Sequence, residues 1–227
     1  GLPWIADFRD PWTQNPWHTW KLPRRLKRES KMETEVVHEA DVVIANTERL
    51  RLDFIRRYPT EPETKFITIT NGYDLDSLAP LNVKKSQNQA MTITHTGALY
   101  AERSPRNLLL AIQELLHENI IPAHGIRLRL VGQGKTNDIE DILADKLVSH
   151  VVEIIPQVPH RQSLQYLSEA DVLLIIQPQA PMQIPGKLFE YMCFQRPILA
   201  ITESESATSD IIRQAQLGPI VEPEDIS

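Results

Sequence analysis

The sequence predicts an α/β protein with two Rossmann-like domains built on parallel sheets, the first domain being incomplete. Short apolar runs of strand length alternate strictly with helical patterns, and this alternation is typical of parallel sheets covered by helices on both faces. A polar stretch at 75–90 interrupts the alternation and is the best linker candidate. We therefore predict part of a first domain at 1–80, a linker at 81–90 and a second domain at 91–227.

The first domain is predicted to contain three strands and two helices. Each strand is a short apolar run, and Asn46-Thr47 can cap the helix that follows it. In order, the elements are a strand at 3–6, a helix at 22–38, a strand at 41–45, a helix at 48–57 and a strand at 66–70.

The second domain continues the same alternation with five strands and five helices. The elements are a strand at 92–96, a helix at 105–119, a strand at 126–131, a helix at 136–149, a strand at 151–155, a helix at 161–169, a strand at 172–176, a helix from 187 to about 193, a strand at 197–201 and a helix at 208–216. Ligands of such sheets bind at the carboxyl ends of the strands. The motifs described below all follow strands, so we expect them on that side.

Composition excludes several classes of function. The net charge of −6 argues against a nucleic-acid binder. The single cysteine, Cys193, excludes an internal disulfide and fits a reducing, cytoplasmic compartment. No apolar run reaches the roughly 18 residues of a membrane-spanning helix. The seven histidines show no ligand spacing, so we expect neither a metal site nor a cofactor.

The two ends of the sequence predict a piece of a longer protein. Gly1 leads almost at once into a strand, and the last residues, 222–227, form a polar turn of the kind that usually precedes another helix. We therefore expect the beginning of the first domain and the C-terminal end of the second to lie outside this sequence.

The stretch Pro185 to Tyr191 is the most informative motif. Pro185 and Gly186 mark a helix start, where free backbone N–H groups attract phosphate. Lys187 adds a positive charge in the first turn, and Glu190 lies three residues later on the same helix face. A cation for phosphate beside a carboxylate for sugar hydroxyls predicts a nucleotide-sugar site.

Three further strand-ending segments can line the same site. Gly97 permits close backbone approach and Arg103 can hold a diphosphate through two hydrogen bonds, although a plain turn and a surface arginine would look the same. Gly132 favours a tight turn lining the cleft. Val158, in a Val-Pro segment, can present backbone groups to a nucleobase, and His160 is expected as a cap or surface residue.

The loop at 7–12 contains Arg9 and Asp10, and all four tryptophans lie in the first twenty residues. These aromatics can line a sugar pocket or pack the edge of the first domain, and Asp10 can act in the cleft or brace Arg9. The segment 21–31 is basic. It can lie on an anionic membrane as a peripheral contact, or it can be a solvated face diluted by acidic residues such as Glu33.

Five segments, in this order, resemble the family 4 glycosyltransferases, which have the GT-B fold of two facing Rossmann-like domains. Their ranges are 41–47, resembling the "aD-x-vi-x-vS" strand; 71–74, the "NGvD" turn; 97–103, the "GR-x(4)-K" phosphate segment; 131–134, the "vGxG" turn; and 187–191, the "K-x-x-E" helix. The resemblance covers nearly the whole chain.

The resemblance implies a role for each matching residue. Arg103 and Lys187 would bind the donor diphosphate, Glu190 the ribose hydroxyls and Val158 the base, while Gly97 would allow backbone approach to the phosphates. Arg9 stands where many members have a His in a "HD" pair. It is therefore expected, with Asp10, to be catalytic at the transferred sugar.

Two positions depart from the family pattern. Ala98 replaces the usual Arg after the glycine, which removes one phosphate cation. Met182 stands eight positions before Glu190, where the family's E-x(7)-E pattern has a Glu that contacts the donor sugar. The identity of the sugar therefore stays open.

The function expected from the resemblance is transfer of a sugar from a nucleoside-diphosphate sugar to an acceptor glycan or lipid-linked sugar. The transfer would be retaining and metal-independent, with a UDP-sugar favoured, in surface polysaccharide or glycolipid biosynthesis. Two alternatives remain, a GT-B nucleotide-sugar epimerase and a non-catalytic nucleotide-sugar-binding module.

Overall fold

The computed structural model describes residues 1–18, 22–74, 90–99, 102–132 and 137–226. Its strands form two separate sheets in which every pairing is parallel, and this confirms the predicted α/β class. The predicted linker lies outside the described residues except for residue 90. The domain boundaries stay a prediction.

The first sheet has three strands in the order β1-β2-β3. Its elements are β1 (Ile5–Phe8), α1 (Pro23–Glu39), β2 (Val42–Ala45), α2 (Glu48–Arg57) and β3 (Phe66–Thr68), with a short 3-10 turn at Glu63–Lys65. Phe54 of α2 packs its ring 4.8 Å from the ring of Phe8 and 6.0 Å from that of Phe66. The first strand therefore lies two residues later than predicted, because Phe8 belongs to the core and pairs with Ala45.

The second sheet has six strands in the order β6-β5-β4-β7-β8-β9. Its elements are β4 (Met91–Thr96), α3 (Arg106–His117), β5 (Ile126–Val131), α4 (Glu140–Leu143), α5 (Lys146–Val151), β6 (Val152–Ile155), α6 (His160–Ser168), β7 (Val172–Ile176), α7 (Lys187–Met192), β8 (Ile198–Ile201), α8 (Ala207–Gln214) and β9 (Ile220–Val221). The chain runs outward from β4 to one edge and returns to β7, and such a switch point opens a crevice at the strand ends.

The second sheet differs from the prediction in two places. The single helix expected at 136–149 is wrong: within the described residues, two short helices occupy this segment. Asp145 separates them, because its carboxylate accepts a hydrogen bond of 2.8 Å from the amide of Leu147 and starts the second helix. Strand β9 was not predicted, because two residues are too few to show a pattern.

Helices cover both faces of the second sheet, as predicted. One buried cluster contains Leu109 and Leu128, and a second contains Leu167 and Leu188. Among the described residues, no helix is both long and apolar enough to cross a membrane.

Candidate functional site

A cavity of about 530 Å³ lies at the carboxyl ends of β4 and β5, beside the start of α7. Its walls include five of the eight residues predicted for the site, which are Gly97, Gly132, Val158, Lys187 and Glu190. Ala98, His160 and Ser163 also line it. Its volume lies within the range of ordinary ligand pockets. Residues that are far apart in the sequence therefore meet where the strand order predicts a binding site.

Two glycines bring the backbones of β4 and β5 together at the mouth of this cavity. Gly97 has φ +111° and Gly132 has φ +138°. Residues other than glycine rarely adopt these backbone conformations. A Cβ on Gly132 would lie 2.5 Å from the carbonyl oxygen of Gly97, and a Cβ on Gly97 would lie 2.9 Å from Lys187 Nζ. Gly132 is thus both a tight turn and part of the cavity wall.

Lys187 is partly buried and its ammonium is held against β4. Nζ donates a hydrogen bond of 2.8 Å to the carbonyl oxygen of Thr96 and lies 3.2 Å from His95 Nε2. Burial, with the nearby charge of Arg103, lowers the pKa of Lys187 to about 7, and Glu190 acts in the opposite direction. The lysine is therefore a desolvated cation that a bound anion would stabilise.

The first turn of α7 is less open than the sequence predicted. The amide of Leu188 already donates to the carbonyl of Pro185 at 2.9 Å, and that of Phe189 donates to Gly186 at 3.2 Å. Anion binding here rests more on the Lys187 ammonium than on these amides. Tyr191, one turn further, receives a 2.9 Å hydrogen bond from the amide of Thr96 and so fixes the end of β4.

Glu190 faces His160 across the cavity wall. The distance from His160 Nε2 to Glu190 Oε1 is 3.1 Å. The sequence predicted His160 at a cap or on the surface. In the structure His160 is the first residue of α6, and its side chain is exposed. Its contact with Glu190 was missed, because the two residues lie on different helices.

Arg103 and Lys187 were both predicted to bind the diphosphate. Of the two, Arg103 is not among the described residues that line this cavity. Its Nη2 donates a 2.6 Å hydrogen bond to Gln177 Oε1 at the end of β7, and its guanidinium lies 5.6 Å from the centre of the Trp17 ring. It is close enough to influence the pKa of Lys187, His95 and Asp10. Arg103 therefore stands between the cavity and the loop after β1.

Arg9 and Asp10 lie in that loop and behave differently. Arg9 is exposed and donates to Asp7 Oδ2 at 2.9 Å and to Asn71 Oδ1 at 3.1 Å. Arg9 is braced by these two residues instead of by Asp10. Desolvation raises the pKa of Asp10, and the charges of Arg103 and His18 lower it. Asp10 is thus close enough to Arg103, which follows β4, for that charge to influence its pKa.

The described tryptophans have different surroundings, and a sugar-lining role for any of them stays a prediction. Trp12 packs on the first core and donates to Glu29 at 3.1 Å, whereas Trp17 stacks on Arg103 and donates to Gln183 Oε1 at 3.0 Å. Trp4 is 42% exposed, and Trp20 lies outside the described residues. Trp17 is the one of the three described tryptophans that reaches the second sheet.

Met182 does not face the cavity. It packs against the core of the first sheet, and its carbonyl oxygen accepts a 2.7 Å hydrogen bond from Thr47 Oγ1. The next residue, Gln183, is buried and bonded to Trp17. The position at which the family pattern has a carboxylate is used here to join the two sheets.

The site therefore combines a partly buried cation, a carboxylate and a backbone turn that admits close approach. This combination suits a ligand with both phosphate and vicinal hydroxyl groups. Among the described residues, no three His, Cys, Asp or Glu side chains are grouped to hold a metal ion.

Comparison with known proteins identifies the family of this chain. A family model described as glycosyl transferases group 1 matches residues 90–227. A D-inositol 3-phosphate glycosyltransferase of Kineococcus radiotolerans is 26% identical over 158 residues, which are 63% of this chain and 36% of that protein. The chain spans about a third of the length of the curated relatives it matches.

Solved structures share the fold. WaaG, described as a glycosyltransferase involved in lipopolysaccharide biosynthesis, gives a TM-score of 0.69 at 20% identity and is matched over 99% of this chain and 62% of its own. A mutant of S. aureus TarM in complex with fondaparinux, alpha-GlcNAc-glycerol and UDP gives 0.63 at 19% identity, over 88% of this chain and 37% of its own. The chain therefore belongs to the glycosyl transferases group 1 and has the GT-B fold.

Proposed function

We propose that this chain forms the donor-binding part of a glycosyltransferase that uses a nucleoside-diphosphate sugar. The observation that carries the proposal is the convergence of Gly97, Gly132, Val158, Lys187 and Glu190 on one cavity. Lys187 and Arg103 bind the diphosphate, Glu190 the ribose and Val158 the base. UDP is the favoured nucleotide, and the UDP named in the TarM mutant complex supports this choice.

The chemistry of transfer assigns the cations their role. The bond from the anomeric carbon to the diphosphate breaks, the diphosphate leaves with the electron pair, and the acceptor oxygen bonds to the anomeric carbon as it loses its proton. Negative charge grows on the diphosphate. The Lys187 ammonium and the Arg103 guanidinium stabilise that charge without a metal ion. Arg9 and Asp10 act at the transferred sugar, and the transfer proceeds with retention.

The acceptor is proposed to be a glycan or a lipid-linked sugar in surface polysaccharide or glycolipid biosynthesis, handled in the cytoplasm at the membrane. The description of WaaG as a lipopolysaccharide enzyme supports this pathway class. An epimerase and a non-catalytic binding module remain the alternatives. Product analysis separates the three, since each gives a different outcome: a glycosylated acceptor, an isomerised donor, or binding without turnover.

The basic segment supports a peripheral contact with anionic membrane. Leu22 is 65% exposed and Leu26 38% exposed, beside five basic side chains that are also exposed, which are Arg24, Arg25, Lys27, Arg28 and Lys31. Lys21 lies outside the described residues. Glu29, Glu33 and Glu35 were expected to dilute this charge. Glu33 does not, because it is fully buried, whereas Glu29 and Glu35 pair with Arg25 and Lys31. Basic groups beside exposed leucines suit an anionic interface.

Sedimentation with vesicles tests the membrane contact. We expect the chain to sediment with vesicles containing anionic phosphatidylglycerol and not with neutral phosphatidylcholine vesicles. The double variant Arg24→Ala, Arg28→Ala should lose this binding, and the control Lys146→Ala, an exposed lysine of α5, should keep it. Equal sedimentation with both lipids would contradict an electrostatic contact.

Calorimetric titration with UDP, GDP and ADP tests the donor site. We expect UDP to bind, and Lys187→Ala to weaken binding by about 10- to 100-fold, because a hydrogen bond to a charged group contributes about 1.5–3 kcal/mol. Arg103→Ala should also weaken it, whereas Lys146→Ala should not. If neither site variant weakens UDP binding, the assignment of the diphosphate ligands fails.

A further inference from the structure

His95 is a fully buried histidine on β4 that the proposed function leaves unused. Its Nδ1 lies 2.9 Å from the carbonyl oxygen of Leu174 on β7, and its Nε2 lies 3.2 Å from Lys187 Nζ. A carbonyl oxygen can only accept, so Nδ1 carries the proton of a neutral imidazole. Nε2 is then a bare acceptor, and the ammonium of Lys187 is its donor.

Burial, assisted by the charges around the ring, keeps it in this neutral form. Burial, and to a smaller extent the charges of Lys187 and Arg103, hold the pKa of His95 well below its usual range. A second proton on Nε2 would face the lysine ammonium directly. His95 therefore stays an acceptor throughout the neutral pH range.

Two of the three N–H donors of the Lys187 ammonium are taken by β4. One goes to the carbonyl oxygen of Thr96 at 2.8 Å and the other to His95 Nε2. An ammonium has three N–H donors, so, among the residues that the structure describes, one is left for a ligand in the cavity that Lys187 lines. The direction of that last donor is fixed by the two bonds that hold the other two.

We propose that His95 is a positioning residue that keeps the Lys187 ammonium charged and aimed at the diphosphate of the donor. The proposal rests on the proposed function, since it assumes that the cavity binds a nucleoside diphosphate. Without the ring acceptor, the desolvated ammonium would keep only the carbonyl oxygen of Thr96 as a neutral acceptor. Arg103 opposes the positive charge of Lys187, and Glu190 favours it. Glu190 is itself paired with His160. The charged form would then be lost at lower pH.

The test is the pH profile of UDP affinity between pH 5.5 and 9, measured by calorimetry on the wild type, His95→Leu and His95→Gln. We expect the wild-type affinity to fall above a midpoint near 7, because burial lowers the pKa of Lys187 to about 7. In His95→Leu the midpoint should move down by about one pH unit, so that affinity at pH 7.5 drops about tenfold. Glutamine offers both an acceptor and a donor, and it should restore the wild-type midpoint.

The outcomes separate the two proposals. A wild type that does not bind UDP contradicts the proposed function. A wild type whose binding depends on pH, with the same midpoint in His95→Leu, overturns the role of His95 alone. A uniform loss of affinity at all pH values in His95→Leu would also overturn it, because it would indicate only a packing role.

Nitrogen NMR of the wild-type ring provides a test that needs no variant. We expect His95 to remain neutral with its proton on Nδ1 from pH 5.5 to 8, and its Nε2 resonance to move when UDP binds. A proton on Nε2, or a titration of the ring within that range, would overturn the proposal.

Discussion

Gly97 and Gly132 pack backbone against backbone, so that a Cβ on Gly132 would lie 2.5 Å from the Gly97 carbonyl oxygen. The contact joins the carboxyl ends of β4 and β5 and forms one wall of the cavity. Neither backbone can move away easily, because the amide of Gly97 donates to Val131 O at 2.7 Å and that of Gly132 to Ile155 O at 2.9 Å.

Gly132→Ala should therefore destabilise the protein. The positive φ alone costs about 1–3 kcal/mol for a residue other than glycine, and the clash adds to this. Urea denaturation measures the change in the free energy of unfolding. Gly186→Ala is the matched control, because a Cβ there meets no atom within 4 Å, and a similar loss in both variants would contradict this account.

UDP affinity should depend on the charge of Lys187. The pKa is lowered to about 7, so the charged fraction falls as the pH rises through 7, and affinity should fall by about tenfold per pH unit at higher pH. Calorimetry at several pH values checks this. Lys187→Met has no titrating group at this position and should bind weakly with no such decline, while uridine, which has no phosphate, should show no decline in the wild type.

Glu190 should discriminate ribose from its deoxy forms. We expect UDP to bind about tenfold more tightly than 2′,3′-dideoxy-UDP, because a hydrogen bond to a charged group contributes about 1.5 kcal/mol or more. Glu190→Ala should remove that ratio, and Glu39→Ala, at the exposed end of α1, should preserve it. An unchanged ratio in Glu190→Ala would exclude the carboxylate from ribose binding.

Glu33 anchors the loop that contains Arg9 and Asp10. Its buried carboxylate accepts hydrogen bonds from the Thr13 amide at 2.9 Å and the Tyr58 hydroxyl at 2.8 Å, and it pairs with Arg57. Glu33→Ala leaves these donors unsatisfied and should lower the free energy of unfolding by about 3 kcal/mol. This is the lower end of the usual effect of breaking a buried ion pair, because Asp53 still pairs with Arg57.

Thermal or urea denaturation measures this loss. Glu35→Ala, an exposed change on the same helix, should stay within about 0.5 kcal/mol of the wild type. A Glu33→Ala protein as stable as the Glu35→Ala control would show that the network contributes nothing to stability.

Thr47→Val should lower the free energy of unfolding by about 1–2 kcal/mol, the typical effect of losing a helix cap. The hydroxyl accepts from the Leu50 amide at 3.1 Å and donates to Met182 O at 2.7 Å. Thr47→Ser retains the hydroxyl and should remain close to the wild type. Equal losses in both variants would point to the methyl group instead.

Periodicity and apolar runs predicted most helices and strands within about two residues. The reason is that the apolar pattern of a buried strand or helix face lies within the residues of that element. The broken helix at Asp145 was missed, since a capping carboxylate inside a helical pattern gives a weak signal. The cavity was predicted because its residues follow strands, whose ends meet in a parallel sheet.

The pairings that complete the site could not be predicted. His95 meets Lys187, and Glu190 meets His160, only because particular helices cross particular strands. Glu33 carried a usable signal, since it lies four residues before the buried Val37 on the same face of α1. Because acidic residues are usually exposed, the charge of Glu33 led to the prediction of a solvated side chain despite its spacing from Val37.

The double use of the Thr47 hydroxyl has a consequence for how the protein melts. One oxygen starts a helix on the first sheet and secures a loop of the second, and Arg49, two residues later, adds an ion pair with Asp210. Loosening either sheet therefore removes support from the other. The chain should lose its structure in one calorimetric transition, with the van't Hoff enthalpy equal to the measured enthalpy.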